Sequence, residues 1–330
     1  MSEWTTIRLG SVVRTNTTAY SPKEGWKYVN YLDTGNLTEN VIDAIQNIDL
    51  ANEKLPSRAK RKVQINSILY STVRPNQKHF GIIKSMPENF LVSTGFAVID
   101  VIPEKVDADY LYFWLTQKNV VEQLHAIAEQ SVSAYPSIKA SDIENLEITL
   151  PPLAVQKSIA SILKSISDKM SHNSNINENL EQQAQAYFQE LFVDNADPEW
   201  TTGTISDLGT VVGGSTPSKA KPEYYTETGI AWITPKDLSI NKSKFVSHGE
   251  NDITELGLKN SSATIMPEGT VLFSSRAPIG YIAIAAGEVT TNQGFKSVVP
   301  KPEIGTPFVY FFLKNTLPVI EGMASGSTFK

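Results

Sequence analysis

Residues 151–198 read PPLAVQKSIASILKSISDKMSHNSNINENLEQQAQAYFQELFVDNADP, and no glycine or proline lies between Pro152 and Pro198. Apolar residues recur every seven positions in two companion rows, as in a coiled-coil helix. The rows are Ile159, Ile166, Asn173, Leu180, Tyr187 and Leu163, Met170, Asn177, Ala184, Leu191. A helix of about 38 residues rises roughly 57 Å, which exceeds the width of a small domain. The pattern therefore predicts a partner helix along this seam, with Asn173 and Asn177 fixing the register. The alternative is an amphipathic helix packed on one domain.

The sequence on the two sides of this segment repeats itself. Glu3-Trp4-Thr5-Thr6 recurs as Glu199-Trp200-Thr201-Thr202, and Gly95-Phe96 recurs as Gly294-Phe295. We call such matching pairs of segments anchors. Two further anchors keep the same order, and the offset in residue number between the two copies varies only between roughly 196 and 203. They are residues 68–75 against 271–278 and residues 110–115 against 308–313. Repetition in a fixed order predicts two copies of one domain.

The second copy is shorter than the first. Residues 130–135 align with residues 324–329, after which the first copy continues for some sixty residues and the second reaches Lys330. We therefore expect one full repeat and most of another, either trimmed or naturally shortened. The predicted limits are a first domain at 1–150, the helix at 151–196 and a second domain at 197–330.

Local patterns within the copies mix strands with helices. Residues 68–73, 91–102, 270–274 and 281–286 have strand composition. Residues 108–130 and 306–321 have helix signals, with Asp107 and Thr306-Pro307 at their starts. The predicted fold class is α+β, with two tandem mixed α/β domains joined by the long coiled-coil-forming helix.

Composition indicates a soluble globular protein, with 41% hydrophobic and 19% charged residues. The chain has no cysteine and no apolar run of membrane-spanning length, so we expect a cytoplasmic protein. The net charge is −6, and Lys+Arg minus Asp+Glu is 15−17, 3−5 and 11−13 for residues 1–150, 151–196 and 197–330. Each region thus carries −2. A surface for nucleic acid would need local clustering of cations, or a partner that supplies them.

Three motifs resemble a known family. Leu150-Pro151-Pro152-Leu153 with residues 156–163 resembles the start of that family's central conserved helix, and residues 179–192 resemble its end. Residues 213–218 followed by 230–238 resemble a common form of its recognition domain. The family is that of the specificity (S) subunits of type I restriction-modification enzymes, and the resemblance covers essentially the whole chain.

The resemblance implies two target-recognition domains held apart by antiparallel helices, each reading half of a bipartite site in double-stranded DNA. It implies two modification (M) subunits as partners, which use S-adenosylmethionine to methylate adenine, and restriction (R) subunits that join them. No cofactor is expected on this chain. The family's second conserved helix is missing here, so pairing between two copies of the chain through the central helix is a further expectation.

The sequence holds no recognisable catalytic constellation. It has no Asn-Pro-Pro-Phe or Asn-Pro-Pro-Tyr run, no phosphate-binding loop and no His-Glu-x-x-His motif, and its four histidines lack metal-ligand spacing. We therefore predict a non-catalytic subunit without a metal. Two alternatives stay open: a shortened or silent specificity allele, and a coiled-coil scaffold that reads no DNA.

Candidate DNA contacts follow from residue chemistry, since Arg and Lys read guanine, Asn and Gln read adenine, and cations and hydroxyls hold phosphates. In the first domain they are Lys54, Arg58, Lys60, Arg61, Lys62, Arg74, Lys78 and His79. In the second they are Ser215, Thr216, Ser218, Lys219, Lys221, Lys236, Arg276 and Gln293. Arg74 and Arg276 hold equivalent places, which favours phosphate contact or a structural salt bridge. The 54–62 cluster could equally be an ordinary solvated face.

Overall fold

The computed structural model describes residues 4–131, 135–276 and 278–323, and the chain divides into two compact units, 1–174 (unit 1) and 175–330 (unit 2). Parts of three of the matched repeat segments fall on Glu3, residues 132–134, Ala277 and residues 324–329, which lie outside the described residues. The division falls inside the long central helix. The predicted domain limits of 1–150, 151–196 and 197–330 remain a prediction.

Unit 1 is a mixed domain built on two four-stranded sheets. Its strands are β1 (Thr5–Arg8), β2 (Val13–Thr15), β3 (Tyr28–Leu32), β4 (Leu37–Thr38), β5 (Val41–Ile42), β6 (Gln46–Asp49), β7 (Ala59–Arg61), β8 (Ile68–Ser71), β9 (Phe80–Ile82), β10 (Phe90–Ser93), β11 (Phe96–Val101) and β12 (Glu147–Leu150). Its helices are α1 (Ala108–Leu115), α2 (Lys118–Glu129), α3 (Ala140–Glu144) and the first half of α4 (Leu153–Gln189). One sheet has the order β6-β3-β10-β7 and the other β2-β11-β8-β9.

Two smaller pairings complete unit 1. β1 pairs antiparallel with β12 over its whole length, so that Thr5 lies opposite Leu150, directly before α4. β4 and β5 form a short two-stranded ribbon. Helices α1 and α2 cover the main core with side chains such as Leu111, Leu115 and Leu124, all fully buried.

Unit 2 repeats this plan. Its strands are β13 (Gly209–Gly213), β14 (Tyr225–Thr226), β15 (Ile230–Ile233), β16 (Phe245–Val246), β17 (Asn251–Ile253), β18 (Val271–Ser275), β19 (Ile279–Ala285), β20 (Thr290–Thr291) and β21 (Lys296–Pro300). Beyond the second half of α4 and a π-helical turn at Glu190–Asp194, its helices are α5 (Ile205–Leu208), α6 (Pro235–Ile240), α7 (Glu255–Lys259) and α8 (Thr306–Met323).

The strand orders of the two units correspond. The order β2-β11-β8-β9 in unit 1 matches β13-β21-β18-β19 in unit 2, and β6-β3-β10 matches β17-β15-β20. The pair β3–β10 corresponds to the pair β15–β20, and both pairs are parallel. The sequence repeat therefore reflects a repeated fold, and the predicted fold class of two mixed domains joined by a long helix is confirmed.

One predicted helix and one predicted strand are each two separate elements in the structure. Residues 108–130 form two helices because the backbone of Gln117 between them is extended, with φ −62° and ψ 142°. Residues 91–102 form two strands, β10 and β11, which belong to different sheets. Thr94 and Gly95 make the turn between them.

Each end of helix α4 is anchored to the unit in which that end lies. In unit 1 the buried side chain of Gln156 accepts a hydrogen bond from the amide of Asp107 (2.9 Å) and donates to the carbonyl of Pro151 (2.8 Å). In unit 2 Phe188 is buried against the rings of Phe308 and Phe311. Because fully buried polar groups need hydrogen-bond partners, the two bonds of Gln156 fix the position of the first turn of α4 on unit 1.

Candidate nucleic-acid interface

A cleft of about 790 Å³ in unit 2 collects residues from six separate segments of the chain. The sequence-predicted residues among those that line it are Thr216, Lys219, Lys236, Arg276 and Gln293. Thr216 and Lys219 come from the loop after β13, Lys236 from α6, Arg276 from the end of β18 and Gln293 from the turn after β20. We call this the unit 2 cleft. Side chains far apart in sequence thus meet at one polar surface.

The cations of the unit 2 cleft differ in their partners. Lys236 Nζ lies 2.6 Å from Glu250 Oε2, and this hydrogen bond and charge raise the pKa of Lys236. Lys219 and Arg276 form no ion pair within the described ranges 4–131, 135–276 and 278–323. Lys219 and Arg276 therefore offer the cleft's unneutralised positive charge.

Asp237, although it lines the cleft, is committed to the fold. One of its carboxylate oxygens accepts hydrogen bonds from the amide and hydroxyl of Thr234, which caps α6. The other accepts from the amide of Glu250 at 2.8 Å. This carboxylate therefore fixes the backbone on two sides of the cleft.

The remaining predicted residues of unit 2 lie around this cleft. Ser215 holds its loop through the backbone, since its carbonyl accepts a hydrogen bond from the indole of Trp232 at 3.0 Å. Ser218 is exposed. Lys221 lies 3.8 Å from Glu223 and 5.7 Å from the ring centre of Tyr224. These three residues shape the loop that carries Thr216 and Lys219.

In unit 1 the predicted basic cluster separates into two groups. Arg61 is half-buried and donates to the side chain of Asn16 and the carbonyl of Phe96, and its burial lowers its pKa. Lys62 pairs with Glu24 and lies 5.1 Å from the ring centre of Trp26. The other three cluster members, Lys54, Arg58 and Lys60, are exposed and form no ion pair in the part of the chain that is described.

The next three predicted residues, Arg74, Lys78 and His79, also differ in their contacts. Lys78 Nζ pairs with Glu39 at 2.8 Å, and His79 Nδ1 lies 2.7 Å from the carbonyl oxygen of Leu37. Arg74 is exposed, with its guanidinium 5.3 Å from the ring centre of Tyr135. Like Arg276 at the equivalent place, Arg74 forms no ion pair among the described residues.

Sequence reasoning missed Asn251 and Asn292, which also line the unit 2 cleft. A signal was available for Asn292, because Ser93-Thr94 and Asn292-Gln293 directly precede the paired anchors Gly95-Phe96 and Gly294-Phe295. Asn251 lies on a short strand whose neighbours in sequence carry no pattern of this kind.

The predicted seam of α4 is exposed along most of its length and packs on a core only at Ile159 and Ala184. Ile166, Met170 and Leu180 keep 53%, 69% and 57% of their surface accessible. Ile159 packs partly on the core of unit 1 and Ala184 partly on that of unit 2. The remaining seam residues, Leu163, Asn173, Asn177, Tyr187 and Leu191, are exposed. The alternative of a helix packed on one domain along its length is not observed, and pairing with a partner helix stays a prediction.

Among residues 4–131, 135–276 and 278–323, no helix is long and apolar enough to cross a membrane. No group of three or more His, Cys, Asp or Glu side chains is arranged to hold a metal ion in those same ranges.

Comparison with known proteins identifies the family. The family model described as "Type I restriction modification DNA specificity domain" matches residues 1–182 and 198–330. The chain is 42% identical over 144 residues to the type I restriction enzyme MjaIX specificity subunit of Methanocaldococcus jannaschii, which covers 43% of this chain and 33% of the relative. It is 24% identical over 403 residues to the HindI specificity subunit of Haemophilus influenzae, covering 99% of this chain and 86% of that one.

A solved structure shares the fold. The type I restriction-modification S subunit from M. genitalium has a TM-score of 0.55 and 17% identity, and the match covers 99% of this chain and 81% of that one. The chain spans only a third of the MjaIX subunit but most of the other two proteins. The resemblance seen in the motifs is confirmed: the chain belongs to the family of type I restriction-modification DNA specificity domains.

Proposed function

We propose that this chain is the DNA-reading subunit of a type I restriction-modification enzyme, in which each unit recognises one half of a bipartite target. The observation that carries this proposal is the unit 2 cleft. There two unpaired cations, Lys219 and Arg276, flank amides and hydroxyls that can contact base edges. Cations beside hydrogen-bonding side chains supply both the phosphate contacts that give affinity and the base contacts that give specificity.

The repeated fold supports the proposal that each unit recognises one half of the target. Two units with corresponding strand orders provide two related frameworks, as a reader of two half-sites requires. Of the predicted DNA contacts in unit 1, Lys54, Arg58, Lys60 and Arg74 are exposed and form no ion pair among the described residues. They would take the role there that Lys219 and Arg276 take in unit 2.

The net charge of −6 indicates that partners contribute to DNA affinity. We propose two modification subunits as these partners, which bind S-adenosylmethionine and transfer the methyl group, with restriction subunits joining the assembly. The chain itself would then perform no catalysis and bind no cofactor. Its place would be the cytoplasm, where the DNA of prokaryotes such as those of the named relatives lies.

Helix α4 would serve as the spacer of this reader. Its exposed seam, with Ile166, Met170 and Leu180 at its centre, has the heptad spacing that packs against another helix. Asn173 and Asn177 would set the register of that packing. The partner helix belongs to a modification subunit or to a second copy of the chain.

Sequencing of methylated DNA tests the proposal. The chain is expressed with its modification subunits in a host free of N6-methyladenine, and methylated positions are mapped over the genome. We expect one bipartite motif with two specified halves and an unspecified spacer. Assembly with the modification subunits but no methylated motif would mean a scaffold, and failure to co-purify with them would mean a silent allele. Either result overturns the proposal.

A further inference from the structure

A four-residue turn lies at the same place in both units. In unit 1 it is Ser93-Thr94-Gly95-Phe96, and in unit 2 it is Asn292-Gln293-Gly294-Phe295. Each turn joins the strand that pairs in parallel, β10 or β20, to a strand of the other sheet, β11 or β21, and in unit 1 it includes the last residue of β10 and the first of β11. We call it the crossover turn.

The glycine of each crossover turn is held through its backbone by equivalent hydrogen bonds. Its amide donates to the side-chain oxygen two residues earlier, Ser93 Oγ at 3.2 Å in unit 1 and Asn292 Oδ1 at 2.8 Å in unit 2. Its carbonyl accepts from both the amide and the hydroxyl of one residue near the end of the antiparallel neighbour strand. That residue is Thr72 (2.8 and 2.8 Å) or Ser275 (2.8 and 3.2 Å).

The glycine is also required sterically. A Cβ on Gly95 would lie 2.8 Å from the Cγ2 of Thr34, and one on Gly294 would lie 2.9 Å from the Cγ of Pro235. Thr34 and Pro235 occupy the same place, the first helical turn after the parallel partner strand β3 or β15. Both turns therefore sit against the same neighbouring segment at the same close distance.

The side chain of the residue before the glycine makes none of these hydrogen bonds, and unlike the phenylalanine after the glycine it is not fully buried. It is Thr94 in unit 1 and Gln293 in unit 2. Gln293 is exposed and lines the cleft beside Lys219 and Arg276. Thr94 is half-buried, and its amide donates to the carbonyl of Arg58 at 2.8 Å, so it also lies next to a cation of the candidate interface.

A protein that reads two different half-sites with one repeated fold must vary side chains at positions that the framework leaves free. We propose that Thr94 and Gln293 are specificity-determining residues, each contacting a base edge in the half-site read by its own unit. The proposal rests on the function proposed above and deepens it by naming one reading position in each unit. Similarly placed backbones present different side chains there.

The environment of Gln293 indicates which base it contacts. The hydroxyl of Thr216 donates to Gln293 Oε1, and this fixes the orientation of the amide. Nε2 makes no hydrogen bond to any described residue, and Oε1 keeps a second lone pair. One free donor beside one free acceptor matches N7 and N6 of adenine in the major groove. Thr94 has a hydroxyl and a methyl group, and the methyl group fits against that of thymine.

The test uses the complex with modification subunits and maps methylated motifs for Gln293→Ala and Thr94→Ala. We expect Gln293→Ala to relax one base pair, an A·T pair in the parent motif, in the half-site read by unit 2. The other half-site should stay unchanged, which also shows that the protein is folded. Thr94→Ala should relax one position in the other half-site. Discrimination at the relaxed position should fall by about 5- to 150-fold, the range of a base contact worth roughly 1–3 kcal/mol.

Gln183→Ala serves as the matched control, because Gln183 is an exposed glutamine on α4 and should leave the motif intact. If a variant loses methylation altogether, its DNA affinity is measured by fluorescence anisotropy. The duplexes carry each of the four base pairs in turn at every specified position of the motif. Equal affinity for all four pairs at one position supports the proposal, and a uniform loss over all sequences overturns it. An unchanged motif in both alanine variants also overturns it. Absence of any motif in the parent complex would instead count against the proposed function.

Discussion

The two unpaired cations of the unit 2 cleft lead to a quantitative prediction about salt. We expect the double substitution Lys219→Ala and Arg276→Ala to weaken DNA binding similarly for matched and mismatched sequences. The reason is that both side chains lie at the cleft without an acidic partner among the described residues. Free cations at such a surface contact phosphates, which occur at every base step and carry no direct sequence information.

The size of the effect follows from counterion release. Each phosphate neutralised by a cation contributes about 0.9 to the slope of log affinity against log salt concentration. Loss of two contacts should therefore reduce the magnitude of the slope by about 1.8. Between 50 and 200 mM salt, a fourfold change, the parent complex should lose roughly twelve times more affinity than the double variant. Lys236→Ala should change the slope less, because Glu250 already neutralises Lys236 at 2.6 Å.

Fluorescence anisotropy of the complex with its modification subunits, titrated with labelled duplex at several salt concentrations, measures this slope. Lys259→Ala is the control, since Lys259 is an exposed lysine of α7 near Glu255 (3.7 Å) and does not line the cleft. Identical slopes for the parent and the double variant would refute the role of the cleft in DNA binding.

Three further predictions concern how α4 is held. Gln156→Ala should lower the free energy of unfolding of unit 1 by about 2 kcal/mol, because it leaves buried backbone groups without partners, whereas the exposed Lys157→Ala should not change it; urea titration compares them. Phe188→Ala should cost about 3 kcal/mol or more and the exposed neighbour Tyr187→Ala less than about 0.5, and equal transitions in thermal unfolding would contradict the packing described. Burial raises the pKa of Glu181, but hydrogen bonds from Lys244, Lys314 and Tyr310 outweigh it and leave that pKa below its usual value. The stability advantage of the parent over Glu181→Gln should be full above about pH 4.5 and shrink as the pH falls through the lowered pKa; an advantage independent of acid pH would argue against these contacts.

The long helix and the repeated fold could be predicted from sequence because each leaves a pattern that can be recognised without knowledge of tertiary contacts. The heptad rows between Pro152 and Pro198 need no tertiary information, and α4 covers Leu153–Gln189 within those prolines. The Gly-Phe anchors at 95–96 and 294–295 mark equivalent crossover turns. The break at Gln117 escaped prediction because neither Thr116 nor Gln117 is a helix breaker, so the extended backbone there leaves no mark in the apolar pattern.

The site was only partly predictable because a side chain's partners are set by distant segments. Arg61 and Arg58 look alike in sequence, yet Arg61 bonds inward to Asn16 and the carbonyl of Phe96 while Arg58 stays exposed. Lys236 and Lys219 likewise differ only through Glu250, an acidic residue from another loop. Residue type thus identified candidates for contact, but the fold decided which of them keep a free charge.

The pairing of β1 with β12 has a consequence for the exchange of the first domain between related chains. Because Thr5 lies opposite Leu150, the polypeptide enters and leaves the first recognition domain at neighbouring points beside the start of α4. A genetic exchange with crossovers in these two strands would replace the domain as one cassette and leave the seam of α4 intact. The same adjacency would permit circular permutation, in which the two strands are joined by a short link and new ends open elsewhere. A new target could thus be acquired in one recombination event without redesign of the assembly.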